Sequence, residues 1–279
     1  MGRLLAGPPF SLAAITAKLR AEAFDMTLTP VPSFRLDGKR ALVTGGGRGI
    51  GAAGAEVFAQ AGAAVTLCGR TAADLEATAE AIRKAGHEAD WFVLDVTDVE
   101  AVRREIGARG PFDILLNNAG VNRIRPILEI SEDDYDTVLG LNLKAALFVA
   151  QAVAKGLVEA RRPGSIINVS SQMGHVGGGG RSLYSASKWG LEGLTRCMAI
   201  DLAKQGVRVN TICPTFIDTA MTRPILDMPG TRDHVLSRIK LGRLGRMDEL
   251  TGALLLLASD ASTLMTGSSV MVDGGWTAG

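Results

Sequence analysis

The stretch Thr44-Gly45-Gly46-Gly47-Arg48-Gly49-Ile50-Gly51 decides the fold of this chain. It follows a short aliphatic run at residues 41–44 and precedes an alanine-rich run at residues 52–61. A glycine-rich turn between a strand and a helix lets backbone N–H groups approach a pyrophosphate without Cβ obstruction. The spacing departs from the usual G-x-G-x-x-G pattern, but its position predicts a dinucleotide-binding loop.

Short apolar runs alternate with longer helical patterns from residue 40 onward. The strand candidates are residues 41–44, 64–68, 91–94, 114–117, 165–169, 208–212 and 269–272. This alternation predicts a parallel sheet of about seven strands with helices on both faces. It favours one Rossmann-like, doubly wound α/β domain over two domains. We therefore expect a dinucleotide-binding catalytic domain at residues 36–279.

Residues 1–35 are expected to form an N-terminal extension that is disordered or not native. Within residues 1–25, three basic residues precede two acidic ones. This order is typical of a transit peptide, but the Pro8-Pro9 pair and the lack of a clear cleavage site weaken that interpretation. The favoured interpretation takes Met26 as the natural start.

Composition excludes several classes of partner. The chain has 279 residues, of which 47% are hydrophobic and 21% charged, and a formal net charge of +1. This balance provides no basic stripe for nucleic acid and no polybasic tail for a membrane surface. The apolar runs at residues 145–150 and 253–258 are far shorter than the roughly 20 residues that span a bilayer. We expect a small-molecule substrate and a cytoplasmic location.

The cysteines and histidines show no metal-binding pattern. They are Cys68, Cys197, Cys213, His87, His175 and His234. The cysteines are odd in number and lack C-x-x-C spacing, and the histidines lie far apart in the sequence. We expect reduced thiols and no metal site.

A second motif places Tyr184 and Lys188 four residues apart, at the start of a predicted helix. At this spacing both side chains lie on one helical face. A nearby ammonium favours the phenolate, so we expect the tyrosine pKa to be lowered toward the range of a general acid or base. Alone the spacing is weak, because a partly buried tyrosine followed by a solvated lysine gives the same pattern.

Together these motifs resemble the short-chain dehydrogenase/reductase family. The matching segments are residues 44–51, Asn117-Asn118-Ala119-Gly120, Asn142, Ser171 and residues 184–188. Each motif is weak by itself, but their joint occurrence in order on the expected elements is specific. The resemblance extends from about residue 40 to residue 279.

The resemblance implies a catalytic group of Asn142, Ser171, Tyr184 and Lys188. Ser171, thirteen residues before Tyr184, would bind the substrate oxygen, and Tyr184 would exchange a proton with it while hydride moves to or from a nicotinamide. Lys188 would hold the ribose hydroxyls and tune the phenol. Asn142 would hold a water in a proton relay. A turn-forming serine and a buried helix asparagine that satisfies backbone groups are the plainer alternatives.

The resemblance also implies a cofactor site. Its expected residues are Gly45, Arg48, Gly49, Ile50, Gly51, Arg70, Asp95, Val96, Asn118, Ala119, Gly120, Tyr184, Lys188, Pro214, Phe216 and Ile217. Asp95 stands where the family contacts adenine, but it could equally cap the helix that begins near Asp98. An asparagine-rich turn would also explain residues 117–120.

The end of the second strand bears on the choice of cofactor. An acidic residue there would bind the ribose hydroxyls and repel a 2′-phosphate, but this chain has Gly69 followed by Arg70. A guanidinium can pair with the phosphate and stack on adenine, and Arg48 adds a second cation. The sequence therefore favours NADP(H), with NAD(H) left open.

The longest stretch without a predicted element is residues 214–241, which the family uses as a mobile substrate lid. Pro214-Thr215 replaces the Pro-Gly that is frequent at its entrance. Candidates for an apolar wall are Phe216, Ile217 and Met221, and candidates to meet a carboxylate or several hydroxyls are Arg123, His175 and Arg223. Each cation fits a solvated loop residue as well. The glycines at residues 177–180 indicate either flexibility or a tight turn.

Residues 170–178, 213–221 and 272–276 resemble the sugar-acid and polyol dehydrogenases of the family, the gluconate 5-dehydrogenase group. A 3-oxoacyl thioester reductase is the close alternative, because it has the same catalytic group. A non-catalytic NADP(H)-binding regulator is the alternative from another class, although every catalytic position is filled.

Family members are commonly homotetramers, which the resemblance implies here. The helix after Asn142 and the helix of Tyr184 would then pack against their copies. Small residues that fit such packing, or that could equally face the sheet, are Ala145, Ala146, Ala150 and Ala154.

Overall fold

A computed structural model describes residues 30–219 and 222–279, apart from the side chain of Ile225. The expectations for residues 1–29, including the start at Met26, and for Met221 lie outside the described residues. Residues Ser33–Gly279 form one compact unit.

One seven-stranded sheet organises this unit. The strands are β1 (Arg40–Thr44), β2 (Ala64–Gly69), β3 (Ala89–Val93), β4 (Ile114–Asn117), β5 (Gly164–Val169), β6 (Val207–Pro214) and β7 (Ser269–Val272). All are parallel, in the order β3-β2-β1-β4-β5-β6-β7. The predicted doubly wound Rossmann-like sheet is confirmed, although β3 begins two residues earlier than its pattern indicated.

Helices connect the strands. Those of the described residues are α1 (Gly49–Gln60), α2 (Ala72–Lys84), α3 (Val99–Arg109), α4 (Glu132–Leu139), α5 (Ala146–Glu159), α6 (Ser182–Leu202), α7 (Arg223–Leu226), α8 (Thr231–Arg238) and α9 (Asp248–Ala258). A π-helical turn, Gly140–Ala145, joins α4 to α5.

The sheet separates two hydrophobic cores. In β1, Ala41 and Val43 face the core formed with α1, α2 and α9, whereas Leu42 faces the core formed with α3, α5 and α6. This alternation follows from the two-residue side-chain period of a strand. Because both faces are covered, the strands read as continuous apolar runs, which is why the sequence located them closely.

The continuous helical stretch Glu132–Glu159 passes a length and composition test for a membrane span. Its apolar side packs within the second core, as expected of a core helix in a globular domain. The four alanines considered for contacts between copies all lie on this buried side: Ala145, Ala146, Ala150 and Ala154. All four are buried within this subunit, so they offer little exposed surface to a second copy.

Residues 214–241 contain two helices that the sequence did not indicate, α7 and α8. Both are short, and α8 presents one buried apolar residue, Val235. Helices of this length carry too little periodicity to be recognised in a sequence. They pack with Phe216 and Trp276 in a third small core beside the carboxyl edge of the sheet.

Candidate active site

A cleft of about 650 Å³ opens at the carboxyl edge of the sheet. The strand order reverses between β1 and β4, which is where ligands bind in open parallel sheets. The cleft brings together nearly all the residues expected at the site: Gly45, Arg48, Gly49, Ile50, Arg70, Asp95, Val96, Asn118, Ala119, Gly120, Ser171, Tyr184, Lys188, Pro214, Phe216 and Ile217. Gly51 and Asn142 are the exceptions, since neither is part of its lining.

The glycine-rich loop forms one wall of the cleft through its backbone. Gly45 has a φ of +62° and Gly49 a φ of +58°, a region that side-chain-bearing residues rarely adopt. A Cβ at Gly45 would lie 3.0 Å from Asn118 Nδ2, and one at Gly51 would overlap the carbonyl oxygen of Gly45. Gly51 therefore lets α1 pack against the loop, although we expected it to contact the cofactor directly.

Polar contacts fix this loop to the central strands. The Thr44 hydroxyl oxygen accepts hydrogen bonds from the backbone N–H groups of Asn118 (2.9 Å) and Ala119 (3.0 Å). The Asn118 amide donates to the carbonyl oxygens of Thr44 and Gly45. Asn117 donates to Asn168 Oδ1 on β5 at 3.0 Å. The two asparagines thus connect β1, β4 and β5 at the switch point, which a simple turn would not do.

Asn142 lies buried in the π-helical turn behind the cleft wall. Its amide donates to the Val121 carbonyl oxygen (2.8 Å) and to Ser187 Oγ (3.0 Å), and its Oδ1 accepts from the Val121 N–H (2.8 Å). The side chain satisfies backbone groups, as in the plainer alternative. It ties the loop after β4 to α6, and π-helical turns are frequent at functional sites.

Ser171, Tyr184 and Lys188 lie together on the opposite wall. Ser171 follows β5, and its hydroxyl accepts from the Met173 N–H (3.1 Å) and donates to Gln172 Oε1 (2.7 Å). Lys188 donates to the Val169 carbonyl oxygen at 2.8 Å. The ammonium lies 5.6 Å from the centroid of the Tyr184 ring, so the four-residue spacing places both groups on one face of α6.

The pKa values of this pair differ from expectation. Burial raises the pKa of Tyr184, and the Ser171 hydroxyl and the Arg181 charge offset only part of this effect. Burial lowers the pKa of Lys188 to about 8, although the Glu192 charge opposes this effect. The expectation that Lys188 lowers the tyrosine pKa is therefore wrong for the protein alone, because desolvation of the phenolate is the larger effect.

A buried polar cluster surrounds Glu192, two helical turns after Tyr184. Glu192 Oε1 lies 3.3 Å from Cys213 Sγ and 3.5 Å from His175 Nε2. Its Oε2 accepts hydrogen bonds from Thr211 (3.0 Å) and Ser269 (2.6 Å). Burial opposes ionisation of Glu192, but the surrounding hydroxyl and thiol donors hold its pKa below the usual value.

The sequence predicted no metal site, but this cluster brings three possible metal-ligand residues together. The ligand atoms of His175, Glu192 and Cys213 lie within 4.8 Å of one another, although these residues are far apart in sequence. Burial and the Glu192 charge raise the pKa of Cys213 to about 12. A protonated thiol is a poor metal ligand, and here it contacts Glu192 instead.

At the other end of the cleft, Arg70 follows β2 and is exposed beside Asp95. Asp95 forms a local turn by accepting hydrogen bonds from Thr97. Burial opposes its ionisation, but these bonds and the Arg70 charge lower its pKa. The cap of α3 is Asp98, which accepts from the Ala101 N–H at 3.0 Å. The capping alternative for Asp95 is therefore wrong.

The three cations considered on the substrate side are engaged elsewhere. Arg123 pairs with Asp133 (2.6 Å) and Asp134 (3.0 Å), Arg223 pairs with Asp218 (2.8 Å), and His175 contacts Glu192. Among the described residues, the arginine of the cleft near Tyr184 is Arg181. Sequence reasoning missed it, although its position three residues before Tyr184, on the same helical face, was a usable signal.

Comparison with known proteins agrees with this geometry. The family model described as Enoyl-(Acyl carrier protein) reductase matches residues 45–277. An L-xylulose reductase from Bos taurus is 40% identical over 245 residues, which are 88% of this chain and 99% of that protein. A 3-oxoacyl-(acyl-carrier-protein) reductase from Thermotoga maritima is 39% identical over 246 residues, 87% of this chain and 99% of that protein.

A solved structure is equally similar. The gluconate 5-dehydrogenase from Burkholderia cenocepacia, in complex with NADP and tartrate, superposes with a TM-score of 0.84 and 38% identity. The match covers 89% of this chain and 98% of that one.

Fold, cleft and sequence similarity together define a nicotinamide-dependent oxidoreductase that acts on CH–OH groups. The chain belongs to the short-chain dehydrogenase/reductase family, as its motifs indicated.

Proposed function

We propose that this protein is an NADP(H)-dependent oxidoreductase that interconverts a secondary alcohol and a ketone in a sugar acid or polyol. The observation that carries the proposal is the convergence of Ser171, Tyr184 and Lys188 opposite the glycine-rich loop in one cleft. Residues 36–279 are the catalytic domain in this proposal. The related gluconate 5-dehydrogenase and L-xylulose reductase support the substrate class.

The described residues fit a dinucleotide. Gly45 and Gly49 leave open the backbone surface that a pyrophosphate approaches, and Asp95 lies beside the adenosine end of the cleft. The nicotinamide, when bound, supplies or accepts the hydride. Arg48 and Arg70 line this end of the cleft together with Asp74 and Asp95, and a guanidinium there can pair with a 2′-phosphate.

The chain's own residues handle the proton. In the reductive direction the Tyr184 hydroxyl donates its proton to the ketone oxygen, while the carbonyl carbon receives the hydride. The Ser171 hydroxyl turns from Gln172 Oε1 to donate its hydrogen bond to that oxygen, and so stabilises the developing charge. Lys188, oriented by the Val169 carbonyl, holds the ribose hydroxyls and compensates the phenolate left on Tyr184. Asn142 keeps the loop after β4 in place against α6.

A 3-oxoacyl thioester reductase is the second candidate, because the Thermotoga maritima relative carries that name. A panel of gluconates, polyols and acetoacetyl thioesters, assayed with NADP(H) and with NAD(H) by nicotinamide absorbance, separates the two. We expect turnover of sugar acids or polyols with NADP(H). Activity on the thioesters alone would replace the proposed substrate class, and no turnover on any panel member would favour the non-catalytic regulator.

We also propose a cytoplasmic homotetramer. Two large apolar side chains of α6 are exposed, Trp189 (54%) and Ile200 (77%), and would be covered by a second copy. The three cysteines are free, which suits a reducing compartment. Light scattering of the purified protein measures the oligomeric state directly, and a monomer would contradict this assembly.

A further inference from the structure

Arg181 differs from Arg123 and Arg223, the two arginines that the sequence suggested for the substrate side. It lines the cleft beside Ser171 and Tyr184, and within residues 30–219 and 222–279 its guanidinium has neither a carboxylate nor a hydrogen-bond acceptor as partner. Arg123 and Arg223, by contrast, each form a short ion pair. A cation on the substrate wall is therefore available to a ligand.

The backbone holds Arg181 at the entrance of α6. Its N–H donates to the Gly178 carbonyl oxygen at 3.2 Å and closes a turn. Gly180 in this turn has a φ of +67°, and its carbonyl oxygen accepts from the Arg125 N–H at 3.0 Å. The glycines before Arg181 thus form a tight turn, which settles the choice that the sequence left open.

Aromatic packing fixes the guanidinium itself. The Arg181 Cζ lies 5.0 Å from the centroid of the Phe216 ring. Phe216 stacks on Trp276, with centroids 5.8 Å apart and an interplanar angle of 21°, and both rings are buried. Because the guanidinium already packs on this aromatic face, the Arg181 side chain would lose little conformational entropy when a ligand binds to it.

The electrostatic environment favours an anion at this position. Burial lowers the pKa of Arg181, which shows that its charge is partly desolvated. Arg181 also precedes the first turn of α6, which contains no acidic residue, so the guanidinium and the positive helix end act together. A desolvated cation without a counterion is unfavourable, and a bound carboxylate would compensate it.

We propose that Arg181 binds the carboxylate of a polyhydroxy acid substrate whose reacting carbon lies at Ser171 and Tyr184. This assignment rests on the proposed function and narrows it to acids over neutral polyols and thioesters. The planar guanidinium matches the two oxygens of a carboxylate, and a phosphorylated substrate is the alternative that the test below separates.

The test compares matched substrates in Arg181→Gln and Arg181→Lys. Each variant is assayed with a keto-sugar acid, with the neutral ketose of the same chain length, and with that ketose carrying a terminal phosphate. We expect kcat/KM for the acid to fall about ten- to a hundredfold more than kcat/KM for the neutral ketose in Arg181→Gln, mainly through KM. Arg181→Lys should recover part of the loss. Arg238→Gln, an exposed arginine of α8 outside the cleft lining, is the matched control.

The outcomes separate this inference from the proposed function. If the wild type reduces the ketones but Arg181→Gln lowers the acid and the neutral ketose equally, Arg181 does not recognise a carboxylate. A loss confined to the phosphorylated ketose would also overturn the assignment. If the wild type reduces none of the three, the proposed function fails instead. Unchanged NADPH affinity and melting temperature show that a variant is folded.

Discussion

The two halves of the cleft differ in whether backbone or side-chain groups form them. The cofactor half is mostly backbone, because Gly45 and Gly49 adopt positive φ values and present peptide groups. The substrate half is made of side chains from separate elements: Arg181 before α6, Phe216 after β6 and Trp276 after β7. Glycine spacing is a local signal, whereas convergence of distant side chains is not. The difference explains why the sequence predicted one half of the site better than the other.

Removal of the Tyr184 hydroxyl, which lies between the two halves, should reduce turnover more than any other change considered. Tyr184→Phe deletes the proton donor, so we expect kcat to fall by about a hundred- to ten-thousandfold, while NADPH still binds the backbone-built half. Turnover is followed by nicotinamide absorbance and binding by fluorescence titration. The chain has one other tyrosine, the exposed Tyr135, and Tyr135→Phe should retain full activity. A fully active Tyr184→Phe would rule out the proposed mechanism.

Arg70 is the side chain of the cofactor half that we propose for the 2′-phosphate. Arg70→Asp removes a charged partner of the 2′-phosphate and adds repulsion, so we expect KM for NADPH to rise roughly ten- to a hundredfold with little change for NADH. The ratio of kcat/KM for the two cofactors is the readout. Arg83→Asp, in the last turn of α2, should leave this ratio unchanged. An unaltered NADPH Michaelis constant in Arg70→Asp would show that Arg70 does not contact the phosphate.

Gly51 tests whether close backbone packing supports the cofactor half. A Cβ there would overlap Gly45 and lie 2.7 Å from Asn118 Nδ2, so Gly51→Ala should cost about 1–3 kcal/mol of folding free energy. NADPH affinity should fall with it. The exposed helical Gly252 has no atom within 4 Å of an added Cβ, and Gly252→Ala should stabilise by about 0.5–1 kcal/mol. Thermal unfolding of both variants measures this difference in stability. Equal melting temperatures would contradict the prediction.

Substitution of Glu192 should have the smallest effect of these changes, and it should alter the pH dependence of kcat/KM. Its charge opposes the burial that lowers the pKa of Lys188 to about 8. Glu192→Gln removes that charge, so the alkaline limb of kcat/KM for ketone reduction should move to lower pH, by on the order of one unit. We assign this limb to ionisation of Lys188, whose ammonium lies beside Tyr184 in the pair. Glu159→Gln, exposed on α5, is the control, and an unmoved limb would show that Glu192 does not influence the pair.

The same pKa fixes the sign of a stability effect. The pKa of Lys188 is about 8 in the folded protein, whereas the ordinary pKa of a lysine side chain is 10.5. Between these two pH values the unfolded chain therefore binds the proton more tightly than the folded protein does. The contribution of Lys188 to stability therefore rises with pH across this window. Denaturant unfolding of wild type at pH 8 and pH 10, compared with Lys188→Met, measures it.

The sequence predicted the sheet, its class and most cofactor-half residues, because buried parallel strands and strand-to-helix glycine turns leave local patterns. It did not predict that Gly51 supports the glycine-rich loop from outside the cleft lining, and it left two roles open for Asn142, because a sequence does not show which residues lie behind the lining of a cleft. Nor did it show that burial outweighs the lysine charge in setting the Tyr184 pKa. The sequence analysis named Arg123 and Arg223 for the substrate half instead of Arg181. In the fold both arginines form ion pairs with aspartates, and a sequence does not show such pairs.

The π-helical turn Gly140–Ala145 constrains how the gene can change in length. Before this turn α4 buries Val138, and after it α5 buries Ala146 and Val149. A π-helical turn closes its hydrogen bonds over one residue more than an α-helical turn does, so deletion of one residue from the turn can leave an unbroken α-helix in which both apolar faces keep their phase. An α-helix advances about 100° per residue, so insertion of a residue, or deletion of two, would rotate one of these faces away from the core. The segment can therefore shorten by one residue, but it would then lose the turn that places Asn142 between Val121 and Ser187.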